Sequence, residues 1–130
     1  MKRRTAREKA LQALFQVNVS NTDPNEAIEH ALDEESKNEF MNNLVFGTIE
    51  HVEELDELIK PHLVNWTIGR LAYIDKTILR MAAYELKYEQ EVPVNVTIDE
   101  AVELAKTFGD DNSSKFVNGV LSKIKKDLEG

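Results

Sequence analysis

Apolar residues return every three or four positions along almost the whole of this 130-residue chain, a period that fits helices and little else. Ala6, Ala10, Ala13, Leu14 and Val17 predict a first helix with one apolar stripe over about 15 residues. Arg3, Arg4 and Arg7 fall beside that stripe, and Leu11 and Phe15 prolong the line of Arg4 and Arg7. This helix therefore either packs on two faces or sets an aromatic ring beside cations.

Helix-start chemistry divides the rest. Asp23-Pro24-Asn25-Glu26 offers an acceptor, a proline where no amide is needed and a third-position Glu, and Ser36-Lys37-Asn38-Glu39 reads as a capping box. The pattern after the second start runs through Phe40, Leu44, Val45 and Ile49 to Leu58 and Ile59, as one long helix or two, until Pro61. Leu71, Ile74, Ile78, Leu79, Ala82 and Leu86 predict the central buried helix. Glu91 to Val96 reads as an extended connector around Pro93, and Thr97-Ile98-Asp99-Glu100 as a further capping box. Gly109 closes that helix in the left-handed conformation expected of a C-terminal glycine, and the last helix begins near Ser113. Gly119, inside it, costs about 1 kcal/mol relative to Ala and is read as a packing glycine.

The sum is an all-α compact bundle of six or seven helices, with no pairing partner for any strand. Pro61 to Gly69 is the expected seam between an N-terminal helical subdomain of about 1–64 and a C-terminal one of about 65–130. At 42% hydrophobic and 31% charged residues the composition is that of a chain with a real core. With no cysteine, thiolate metal sites and disulfides are excluded. No secretory apolar segment and no run long enough to span a bilayer occurs, so a soluble cytoplasmic protein without membrane association is expected.

Charge is segregated. Lys2, Arg3, Arg4, Arg7 and Lys9 stand against Glu8 alone, while the whole chain carries a formal −8, which leaves −12 on the remainder. Between Asp23 and Lys60 twelve acids face two lysines, a face that repels nucleic acid and assigns anion binding elsewhere. Catalysis finds no support. His30, His51 and His62 lack metal-ligand spacing, the five glycines are scattered, and no nucleophile has a base beside it. No enzyme, cofactor or metal site is expected.

REKALQALFQ, ILRMAAYEL, VPVNVTIDEAVELAKTFG and SKFVNGVL occur in this order over nearly the full length. Together they resemble the bacterial NusB family of transcription antitermination proteins. The resemblance implies two helical subdomains and binding to the boxA element of nascent ribosomal RNA. It also implies a heterodimer with the small-subunit ribosomal protein NusE, and entry with other Nus factors into the elongating RNA polymerase complex. By position it implies RNA contacts from Arg3, Arg4, Arg7 and Gln12 on the first helix, and from Asn112, Ser113, Lys115 and Phe116 at the start of the last. Unpaired RNA needs cations for its phosphates and flat groups for its bases, and these residues include both. By periodicity alone Phe116 is also a core residue and Ser113 an N-cap. His62 and Asp75 match the family's ribosomal-protein side, although residues 65–73 depart most from its pattern. A helical protein–protein adaptor without RNA contact is the alternative. The related domain fused to ribosomal RNA methyltransferases is excluded as a complete enzyme, since 130 residues leave no room for a cofactor domain.

Overall fold

Seven α-helices and two short 3₁₀ turns make up the regular structure of residues 1–129, the part of the chain that the computed structural model describes. The helices are α1 (Arg3–Ser20), α2 (Pro24–Leu32), α3 (Glu39–Glu50), α4 (Val52–Ile59), α5 (Tyr73–Tyr88), α6 (Val94–Phe108) and α7 (Ser113–Glu129). Residues Met1–Glu50 form one compact unit and the chain from His51 onward another. The division falls ahead of α4 and not at the Pro61–Gly69 turn. It coincides with a break in the expected long helix, where His51 leaves helical geometry at φ −109° and ψ 18°.

In the first unit α1 packs on α2 and α3. Ala6, Ala10 and Ala13 are fully buried, and their small side chains let the helices approach closely. Ile28, Leu32, Met41, Leu44 and Val45 complete this core. α1 packs on two faces, since Leu11 and Arg7 on its second line are also buried. The Asp23 carboxylate caps α2, accepting from the amides of Asn25 (3.1 Å) and Glu26 (3.4 Å). At α3 the acceptor is Asn38, whose Oδ1 takes the amide of Met41 at 2.9 Å. Ser36, the expected cap, stands outside the helix.

The second unit builds on α5, whose Ile78, Leu79, Met81 and Ala83 are buried between α6 and α7. Pro93, with φ fixed near the helical value, precedes a helix that begins at Val94. Residues 94–96 are thus helix and not connector, and Thr97 lies inside α6, where its buried hydroxyl donates to the Glu85 carboxylate at 3.3 Å. Gly109 is extended (φ −92°, ψ −170°) and not left-handed. Its absent side chain has another reason: a Cβ there would stand 2.4 Å from the Ser113 hydroxyl and 2.8 Å from the Ala105 carbonyl. The glycine lets α7 start directly against the end of α6.

Two polar anchors tie α4 to α5. The Arg80 guanidinium donates two hydrogen bonds to Asp56, at 2.7 and 2.8 Å. Nearby on α4 the Glu54 carboxylate pairs with Lys87 and accepts from the Tyr88 hydroxyl at 2.6 Å. Lys87, then Tyr88, hold Glu54 below the ordinary carboxylate range, and Glu54 in turn raises both partners. A depressed carboxyl contributes stability above its unfolded pKa and loses it as pH falls through the folded value. Replacing Glu54 by Gln is therefore expected to move the Tyr88 phenol back down toward its ordinary range. A spectrophotometric tyrosine titration of parent and variant checks this.

Candidate nucleic-acid interface

The basic N-terminus divides once its side chains are placed. Lys2, Arg3 and Arg4 are exposed, whereas the Lys9 ammonium is committed to the Ala31 carbonyl at 2.8 Å. Arg7 is only 3% exposed. Its guanidinium lies 5.1 Å from the centroid of the Phe40 ring, and that of Arg3 lies 4.4 Å from the same ring. Such cation–π contacts contribute about 0.5–2 kcal/mol, the more as they are desolvated. Phe40 thereby fixes how α1 begins. Lys2, Arg3 and Arg4 are thus exposed to solvent, and Arg7 is a buried packing residue. Gln12 is exposed about two turns beyond Arg4.

At the start of α7 the polar groups satisfy one another. Ser113 is 2% exposed, and its Oγ accepts from the Asp110 amide at 3.0 Å and donates to Asp110 Oδ1 at 3.2 Å. The same Asp110 oxygen accepts from the Asn112 amide at 2.9 Å. The Asp110 carboxylate thus already accepts from the Asn112 amide and the Ser113 hydroxyl of this turn. Ser113 is buried as the cap of this turn. Asn112 and Lys115 are exposed and Phe116 is half-buried.

Phe116 and Asn112 line one groove of about 560 Å³ with Trp66, Arg70 and Asp75. Sequence reasoning passed over Trp66 and Arg70. The signal available was the chain's one tryptophan set in a polar turn, where it remains 55% exposed. Asp75, expected on the ribosomal-protein side, therefore shares its groove with two residues expected to touch RNA. His62 does not join it. Its imidazole pairs with Asp127 near the end of α7.

The sequence model of the NusB family matches residues 4–126. The chain belongs to the NusB family. The transcription antitermination protein NusB of Bacillus subtilis (strain 168) is 63% identical over 129 residues, covering 99% of this chain and 98% of that protein. Among solved structures, T. maritima NusB superposes with a TM-score of 0.89 at 38% identity, covering 97% of this chain and 92% of that one. A chain in the structure of the antitermination factors NusB and NusE in complex with dsRNA gives a TM-score of 0.86 at 32% identity, covering 96% of each.

Within this NusB-type fold the division of labour among the arginines has a measurable consequence. Arg7→Ala removes a buried guanidinium and its packing, and is expected to destabilise by about 2 kcal/mol. Gln12→Ala and Lys115→Ala, on exposed side chains, are expected to stay within about 0.5 kcal/mol of the parent. Urea denaturation followed by circular dichroism compares the three.

Proposed function

We propose that this protein is a transcription antitermination factor that binds single-stranded boxA-type RNA of ribosomal transcripts. It acts with the ribosomal protein NusE and joins the elongating RNA polymerase with other Nus factors, in the cytoplasm. It has no catalytic role. The observation that carries this reading is the exposure of Lys2, Arg3 and Arg4 at the head of a chain whose remaining charge is predominantly acidic. Cations so confined direct a polyanion to one place and away from the rest.

RNA contacts are assigned to Arg3, Arg4 and Gln12 on α1 and to Asn112, Lys115 and Phe116 at the head of α7, with Arg7 holding the first set in place. The cations neutralise phosphates, and the exposed edge of Phe116 offers a base a surface to stack on. Asp75 remains the residue assigned to NusE. His62, occupied by Asp127, orients the chain after α4 and is not a direct contact. Relatives in the NusB family carry the name of transcription antitermination protein, and a similar chain occurs in a crystal structure of NusB and NusE in complex with dsRNA. Both support antitermination with RNA and NusE as partners.

Fluorescence anisotropy with a labelled boxA-type RNA, with and without NusE, tests it. Arg3→Ala with Arg4→Ala is expected to weaken binding and to flatten the log–log salt dependence by about 0.7 for each phosphate no longer neutralised. NusE is expected to tighten binding by the parent. A double variant that binds like the parent removes α1 from the site, and binding indifferent to NusE favours the adaptor alternative.

A further inference from the structure

Gly119 sits in the middle of α7, exposed, and a Cβ built on it would meet no atom within 4 Å. No neighbouring helix of this chain explains it, so the packing role expected of it is wrong. A helix-interior glycine is unfavourable relative to alanine, and this one has open space where alanine would fit. The reason for it therefore lies outside the chain.

Its surroundings identify what approaches. Within about 60° of Gly119 around the helix axis lie Asn112, Lys115, Phe116, Ser122, Lys123 and Lys126. On α7 itself this face holds three lysines and no acid, while Asp99 and Glu129 share a groove with Ser122 and Lys126, and Asp75 and Asp110 share one with Asn112 and Phe116. The nearest acids on the helix, Asp127 and Glu129, lie about 80° away, and they engage His62 and Lys125. All three lysines are exposed, and none takes part in an ion pair among the described residues. From Lys115 to Lys126 the stripe runs about 16 Å. Burial of Val117, Val120, Leu121 and Ile124, at 3% exposure or less, fixes the opposite side of α7 against its own unit, so the lysine face is held outward.

The geometry points to an RNA-backbone track along α7, with Lys115, Lys123 and Lys126 binding phosphates and Gly119 the point where the sugar–phosphate chain lies directly against the helix. This extends the proposed RNA site beyond Phe116 along the helix and rests on that reading. An uncharged partner would not require three lysines on one face. An acidic protein would also suit the lysines and the glycine; the continuity of the stripe with Lys115 and Phe116 of the proposed RNA site favours RNA.

The experiment is an anisotropy titration of the full chain with labelled single-stranded boxA RNA, paired with thermal melting. Gly119→Ala is expected to melt a few degrees higher and to bind RNA several-fold more weakly. Lys123→Ala and Lys126→Ala are each expected to lower affinity and to reduce the salt slope by about 0.7. Lys106→Ala, which removes the same charge from α6, is the control expected to bind like the parent. If Gly119→Ala is stabilised and binds as tightly as the parent, the close-approach track is overturned while the RNA site at the helix starts stands. If the Lys123 and Lys126 variants bind like the parent, the lysines have no phosphate role and the track is likewise overturned. If the parent binds no RNA with or without NusE, the functional reading fails and the track fails with it.

Discussion

Burial of one stripe of α7 governs the second unit, because it decides what the other side of that helix can show. Val117, Val120, Leu121 and Ile124 are taken out of water against α5 and α6. At about 25 cal/mol per Å² this burial outweighs any contribution from the surface lysines. The rotation of the helix is thus set by its apolar residues, and the cationic face is presented as a consequence. The same burial brings Ser113 under the end of α6, where only a glycine at 109 leaves room for it.

The first unit solves a similar problem differently. Its cations sit at a helix start, the least constrained part of α1, and a side chain from another helix steadies them. Phe40, presented by α3, lies under Arg3 and Arg7. Of the five basic residues near the N-terminus, Arg7 and Lys9 go to internal structure and three stay at the surface. Charge counting overstates a binding patch for this reason: a guanidinium or ammonium with a long apolar stem is also a packing group.

Helix number and core were legible because the period of Ile78, Leu79, Ala82 and Leu86, or of Val117, Val120, Leu121 and Ile124, follows directly from which residues avoid water. Helix ends were less so. Ser36 and Asn38 both suit an N-cap, and only the observed path of the chain selects Asn38. Pro93 reads equally as a connector or as the residue ahead of a first turn. Gly109 and Gly119 look alike in sequence, yet one is required by the Ser113 hydroxyl and the Ala105 carbonyl and the other by nothing inside the chain. The groove containing Trp66 and Arg70 was not legible, since it joins the loop before α5 to the α6–α7 turn, two segments with a pair of helices between them in the chain. The lysine face of α7 was legible in principle, from the spacing of Lys115, Lys123 and Lys126 about Gly119.

The two cationic surfaces proposed to meet RNA, the head of α1 and the outward face of α7, should both respond when RNA binds. Amide chemical-shift mapping of the labelled protein, titrated with single-stranded boxA RNA, tests this most directly. Perturbations are expected to concentrate at residues 2–4 and 12 and along 112–126 on the Gly119 side, with α2 and the outer face of α4 unchanged. Perturbations confined to the acidic helices, or absent from both cationic surfaces while RNA is bound, would contradict it.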